Sequence, residues 1–149
     1  MRLVVQRVSR ASVRVEGALS GEIAAGLMIL VGVGKEDTSA IALAMAEKVA
    51  NLRIFEDEQG KMNRSLLDVK GSALVVSQFT LYGDARGQRR PSYLAAGPPE
   101  AAKKLYEEFS EALRRLNIPV ENGIFQATMS VELVNEGPVT ILIDSDKTF

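Results

Sequence analysis

The sequence predicts a single α+β domain, with a mixed-sheet β-barrel or sandwich-like core and two main helices. Three observations carry that prediction. The 149 residues fit one domain, and no linker, repeat or low-complexity segment divides them. Several segments have the length and patterning of strands, whereas only two carry apolar residues at helical spacing. Two helices in separate places cannot cover both faces of so many strands, which disfavours a doubly wound sheet.

Residues 2–16 read as the first strand. Leu3, Val5, Val8, Val13 and Val15 are interleaved with Arg2, Gln6, Arg7, Arg14 and Glu16 at nearly period two. Ala18 to Ala24 is short and bounded by turns, with Gly17, Gly21 and Gly26 as punctuation. Leu27 to Val31 is a continuous apolar run, the pattern of a buried central strand. A helix follows, with Asp37, Thr38 or Ser39 as its cap and Ile41, Met45, Val49 and Leu52 as its apolar stripe. Asp57 to Lys61 is a polar turn, and Ala73 to Phe79 another buried strand. Tyr82 to Pro99 has no periodicity and is rich in Gly, Pro and Arg; loops of that length are usually functional or disordered. Pro98-Pro99 starts the second helix, striped by Leu105, Phe109, Ala112, Leu113 and Leu116 and ended by Asn117 to Pro119. Phe125 to Leu133 and Val139 to Ile143 read as the last two strands.

Composition narrows the chemistry. The chain has no histidine, cysteine or tryptophan. Ser-His-Asp and Cys-His nucleophile pairs are therefore excluded, as are Cys/His zinc sites, thiol redox chemistry and disulfides. A general base must be a carboxylate, a lysine, a tyrosine, a backbone group or part of the substrate. No metal site and no cofactor is expected. No apolar run approaches the ~20 residues that span a bilayer, so no membrane partner is expected. The opening Met1 to Arg7 brings charge in too early for a signal peptide, and a cytoplasmic protein is the default. A net charge of −1 argues against a broad nucleic-acid footprint but leaves room for a small basic contact.

Five motifs remain. Gly32-Val33-Gly34-Lys35 lacks the earlier glycine and the following Ser or Thr of a phosphate-binding loop, and reads as a strand-to-helix turn. Arg86, Arg89 and Arg90, near Tyr82 and Tyr93, suit phosphate contact and base stacking, or else form a solvated loop. Ser77-Gln78-Phe79-Thr80 closes a buried strand with groups that need hydrogen bonds or a pocket; capping of the strand end is the plainer reading. A nucleophilic Thr80 has no histidine to activate it. Asn135-Glu136-Gly137-Pro138-Val139-Thr140 reads by pattern as a hairpin turn. With a cis Gly-Pro bond, its carbonyls could instead form a rigid acceptor for an ammonium group. Asp144, Ser145 and Asp146 read as a polar tail rather than a metal site.

Ser77-Gln78-Phe79-Thr80-Leu81 and Asn135 to Thr140 together resemble the D-aminoacyl-tRNA deacylases. Met1 to Val8, Asn51 to Asp57, Arg90-Pro91-Ser92-Tyr93, and Gly123-Ile124-Phe125 with Met129 extend the resemblance over essentially the whole chain. It implies a homodimeric hydrolase with active sites at the subunit interface. The enzyme would cleave the ester between a D-amino acid and the 3′-terminal adenosine of tRNA, and related enzymes also remove glycine. It assigns Gly137 and Pro138 to chiral selection in the partner subunit's pocket. It places Ser77, Gln78, Phe79 and Thr80 around the ester and terminal ribose, with Phe125 and Met129 flanking the adenine. The chain departs from the family at Gln126, usually Gly, and at Glu136, usually Asp. Ester hydrolysis needs an oriented water and stabilisation of the oxyanion, for which the Phe79 or Thr80 N–H is a candidate donor; the resemblance favours the tRNA's terminal 2′-hydroxyl over Thr80 as the activating group. The competing functions are a tRNA-binding module without catalysis, using the Arg86 to Tyr93 loop and the second helix, and a small-molecule esterase using Thr80.

Overall fold

A long first strand organises the molecule. The computed structural model describes residues 1–149, and β1 (Arg2–Val15) makes pairings on both of its edges. Its first half pairs antiparallel with β3 (Gly26–Gly32), and its second half with β2 (Ala18–Ile23). Its other edge pairs along almost its whole length with β8 (Met129–Asp144). Beyond β3 the sheet continues in parallel through β6 (Ser72–Ser77) to β7 (Val120–Asn122). β2 curls over towards β7, and Ser20 Oγ donates to the Asn122 carbonyl at 3.1 Å. The six strands thus form a mixed, nearly closed barrel, the first of the two core shapes expected.

The side-chain pattern of β1 explains why its period is only nearly two. Leu3 and Val5 belong to the larger core, whereas Val8, Ala11 and Val13 point into the smaller core inside the barrel. The register against β8 shifts between Gln6 and Val8 and again between Val8 and Arg10. Each irregularity changes which residues face which side.

α1 (Ser39–Ala50) and α3 (Pro99–Arg115) pack against each other and close the larger core. Thr38 caps α1, its side chain accepting from Ile41 N–H at 3.3 Å, and Pro99 opens α3 where a missing N–H costs nothing. The buried face of α1 is Ala42, Met45, Ala46, Val49 and Ala50. It is rotated from the expected stripe, because small alanines let the helix lie close while Ile41 and Leu52 stay half-buried at its ends. Leu105, Phe109, Ala112 and Leu113 of α3 are buried as expected. Sequence patterning passed over a short hairpin of β4 (Phe55–Glu56) and β5 (Met62–Arg64), the one-turn α2 (Leu66–Val69), and β7. All four are too short to show periodicity. No helix is long and apolar enough to cross a membrane.

The end of the chain differs most from expectation. Phe125 to Leu133 and Val139 to Ile143 are not two strands joined by a hairpin. Phe125 lies in a turn, and one strand runs from Met129 through Gly137-Pro138 to Asp144. Val8 pairs with Asn135 and Gln6 with Thr140. Four residues, Glu136 to Val139, therefore stand opposite Arg7 alone. The Gly-Pro pair breaks the ladder locally as its chemistry requires, but β1 is the partner on both sides, so the chain resumes its course instead of reversing.

Candidate active site

The end of β6 builds one wall of a cavity. β6 lies between two parallel neighbours, so its apolar run Ala73 to Val76 is buried. The strand stops at Ser77, and residues Phe79–Tyr82 wind into a single 3₁₀ turn. Gln78 N–H still donates to the Val31 carbonyl at 2.8 Å, which pins the start of the turn to β3. The first N–H groups of a helical turn have no acceptor within it, and Phe79 and Thr80 hold those positions. Gln78 Nε2 donates to Thr80 Oγ1, so the hydroxyl is already engaged.

Above this turn opens a cavity of about 580 Å³. Ser77, Gln78 and Phe79 line one side, Phe125, Gln126, Ala127 and Met129 another, and Ala96, Gly97, Pro99 and Ala102 a third. Ser77, Gln78, Phe79, Phe125 and Met129, which the sequence nominated, are thus brought together; Thr80 adjoins them in the turn. Pro99 and Ala102 were missed. They read as helix start and helix core; Gln126, noted as a departure from the family's usual glycine, takes φ +64°, a left-handed value that a glycine at that place would signal. No side chain lining the cavity is ionisable.

Phe125 is held from behind. Its ring stacks at a tilt on Tyr106, with centroids 6.1 Å apart. The Tyr106 hydroxyl donates to the Val75 carbonyl at 2.8 Å and accepts from Asn122 Nδ2 at 2.9 Å. Burial pushes that phenol above its ordinary pKa, which keeps it a neutral donor. A second, smaller cavity lies on the far side of Phe125, between α3 and Asn122.

Gly137 and Pro138 are outside the cavity, exposed on the bulge of β8, with their peptide bond cis. The bulge is braced from below by Arg7, a buried residue that was not among the predicted site residues. Its Nε donates to the Glu136 carbonyl at 3.1 Å and its Nη1 to the Ile54 carbonyl at 2.8 Å. Asn135 Nδ2 donates to the Arg7 and Val139 carbonyls, both at 2.9 Å, and Asn135 Oδ1 accepts from Thr140 Oγ1 at 3.3 Å. Position 137 takes φ +124°, and a Cβ there would sit 2.7 Å from Arg7 Nη2. Only glycine fits both demands.

The basic loop is partly accounted for within itself. Asp84 grips Arg86 through both carboxylate oxygens, at 2.9 and 2.8 Å, and this holds the carboxyl well below its usual pKa. Arg89 and Arg90 are exposed and make no ion pair. Tyr82 is buried beneath the guanidinium of Arg2, so of the two tyrosines only Tyr93 faces outward. The terminal polar cluster serves the fold. Asp144 pairs with Arg2 at 3.6 Å, and Ser145 with Asp37 takes the Met1 amine.

Residues 4–144 match the family model described as D-Tyr-tRNA(Tyr) deacylase. The chain is 58% identical over 149 residues to the D-aminoacyl-tRNA deacylase of Thermosipho africanus and 60% identical over 149 residues to that of Koribacter versatilis, covering 100% of each chain in both cases. A solved structure titled "c-Myc DNA Unwinding Element Binding Protein" superposes with a TM-score of 0.90 at 42% identity, covering 97% of this chain and 99% of that one. A structure of a probable eukaryotic D-amino acid tRNA deacylase shares the fold alone, with a TM-score of 0.81 at 16% identity over 95% of this chain and 97% of its own. A family model spanning nearly the whole chain, and relatives matched end to end over the strand, turn and bulge described above, make this chain a member of the D-Tyr-tRNA(Tyr) deacylase family.

Proposed function

We propose that this protein hydrolyses the ester of D-aminoacyl-tRNA, and of mischarged glycyl-tRNA, to free amino acid and tRNA, and so proofreads the tRNA pool of the cytoplasm. One observation carries the mechanism: the cavity beside the Ser77–Thr80 turn contains no ionisable side chain. This protomer places no base where one would have to stand. In this reading the proton-transferring group comes with the substrate, whose terminal ribose carries one beside the ester, its 2′-hydroxyl.

In this reading Phe125 and Met129 flank the terminal adenine, and Ser77 and Gln78 face the ribose and ester. Water attacks the ester carbonyl, and the 2′-hydroxyl orients it. The N–H of Phe79 or Thr80 takes the developing oxyanion, which in a cavity without charge is worth far more than in water. The bond from the carbonyl carbon to O3′ then breaks, and the proton shed by the water passes to O3′.

Gly137 and Pro138 enter from a second copy of the chain. Their own protomer's cavity does not include them, and β8 offers the means of assembly. One edge of β8 pairs with β1 and the other pairs with nothing over sixteen residues. Val131, Val134 and Leu142 are exposed along it. An open apolar edge of that length invites a partner strand or sheet. In the homodimer the Gly137 and Pro138 carbonyls accept from the substrate's α-ammonium, and the braced backbone stands where an L side chain would project. A D-amino acid or glycine passes.

Release of tyrosine from D-Tyr-tRNA and L-Tyr-tRNA is the direct test. The expected result is rapid loss of the D-ester with the L-ester unchanged. Equal persistence of both would point to a tRNA-binding module, and turnover of free esters without RNA to an esterase acting through Thr80.

A further inference from the structure

Tyr93 stands beside the cavity mouth with no part in the chemistry above. Its ring meets Phe79 edge to face, with centroids 5.1 Å apart and planes at 67°. It also lies against the backbone at Gly83, where a Cβ would come within 3.0 Å of its Cε1. Ser92 and Asp84 exchange backbone hydrogen bonds of 2.8 and 2.9 Å, so Tyr93 leaves a pinned neck rather than a free loop. Tyr93 is therefore held in place and yet 39% exposed as a residue, and its neighbour Leu94 is 78% exposed. The loop closed by that neck carries Arg89 and Arg90, neither with a carboxylate to answer it, whereas Arg86 is occupied by Asp84.

A held, partly exposed aromatic ring at the neck of a loop that carries unpaired guanidinium groups is the equipment of a single-strand nucleic-acid site: the ring stacks a base and the cations hold the backbone. The platform is also continuous with the cavity. Phe79 on one side of Tyr93, and Ala96 and Gly97 three and four residues after it, belong to the cavity wall. The rim thus offers a way out for a strand whose last nucleoside sits in the cavity.

We propose that Tyr93, supported by Leu94, stacks the nucleobase preceding the terminal adenosine, and that Arg89 and Arg90 hold the adjoining phosphates. This rests on the cavity being the seat of the terminal nucleoside. Tyr93 is then a binding residue for RNA and has no contact with the reacting atoms.

The test compares wild type, Tyr93→Ala and Tyr93→Phe on D-tyrosyl-adenosine, on the D-tyrosyl ester of a CCA trinucleotide, and on the same trinucleotide abasic at its middle position. Tyr93→Ala is expected to lower kcat/KM on intact CCA about 5- to 150-fold, the range for one base stacked on an aromatic ring. The loss falls mainly on KM. The abasic trinucleotide lowers wild type to the level of the variant and the variant no further; Tyr93→Phe stays near wild type, and D-tyrosyl-adenosine is turned over equally by all three. Arg89→Ala and Arg90→Ala each reduce the salt dependence of tRNA turnover by about one counterion. Equal losses on D-tyrosyl-adenosine would show Tyr93 acting through Phe79 and overturn the proposal, as would no loss on any substrate. Wild-type inactivity towards every ester would instead overturn the deacylase reading beneath it.

Discussion

Around Gly137–Pro138 the surroundings are fully engaged. Arg7 reaches two carbonyls, Asn135 two more, and Thr140 is tied to Asn135. Around Phe79–Thr80, by contrast, residues 77–80 make a single side-chain hydrogen bond, from Gln78 to Thr80, and Phe79 is 55% exposed. The two regions are the two halves of the proposed site, and they divide its work. Selection by shape needs a surface that does not yield, because the penalty on a wrong enantiomer lasts only as long as the wall stays put. The hydrolytic half needs an open seat and oriented backbone donors, since the substrate brings the rest. Reinforcement is concentrated where position alone does the selecting.

Damage to the braced half is therefore expected to have the largest effect. Gly137→Ala places a methyl 2.7 Å from Arg7 Nη2 and 2.9 Å from Val139 Cγ2, at a φ that L residues avoid. The bulge must shift to admit it. A displacement of about 1 Å in a positioning group costs on the order of 100-fold, so kcat/KM for D-Tyr-tRNA is expected to fall by about that factor. The strain costs about 1–3 kcal/mol, which leaves the fold intact by thermal unfolding. A variant folded and fully active would show that the bulge does not reach the substrate.

Whether the two halves belong to different subunits is tested by mixing. Chains carrying Gly137→Ala, and chains whose cavity is filled by Ala127→Trp, are each expected to be inactive. Refolded together in equal amounts, half the dimers are mixed and each has one intact site, so roughly a quarter of wild-type activity returns. No recovery, with mixed dimers demonstrated, would place both halves in one chain.

How much of this was visible in the sequence depends on the range of the contact concerned. Ser77 to Thr80 was legible because polar residues closing an apolar strand demand partners, and that demand is local. The break at Gly137-Pro138 was legible too, but not that the strand continues past it. That depends on β1, whose residues Gln6 and Val8 pair with Thr140 and Asn135 from the other end of the chain. Arg7 carried a signal that went unread: at period two it shares a face with Leu3 and Val5, both buried, so a guanidinium was due to enter the interior. Pro99 and Ala102 gave none. A residue lining a cavity at a helix start looks the same in sequence as one filling a core.

Arg7 tests the bracing more gently than Gly137. Arg7→Met keeps an unbranched side chain but leaves the Glu136 and Ile54 carbonyls without their donor. The expected cost is about 2–3 kcal/mol of stability, read as a lower denaturant midpoint at unchanged m-value. The sharper readout is selectivity. If Arg7 stiffens the wall, the ratio of D- to L-Tyr-tRNA turnover falls, because a softer bulge lets the L-ester in. A loss of stability with the ratio unchanged would reduce Arg7 to a structural residue.

The smallest expected effect lies in the sparse half, and it is informative because it is small. Thr80→Ala removes the one hydroxyl in the turn that a nucleophilic mechanism would require. Its partner Gln78 is a neutral amide that cannot take a proton, and no ionisable side chain lines the cavity to act in its place. The variant keeps the backbone N–H at position 80, which is the part assigned to the oxyanion. Its kcat is expected to stay within about threefold of wild type, the scale of one neutral hydrogen bond worth ~0.5 kcal/mol. D-Tyr-tRNA ending in 2′-deoxyadenosine is expected to be inert towards both forms. The reverse pair of results, a dead Thr80→Ala that still binds tRNA and a 2′-deoxy substrate still cleaved through a trappable acyl-enzyme, would move the chemistry from the substrate to the protein. The contrast between the two halves would then vanish, since the open turn would carry a catalytic side chain with nothing around it to hold or activate it.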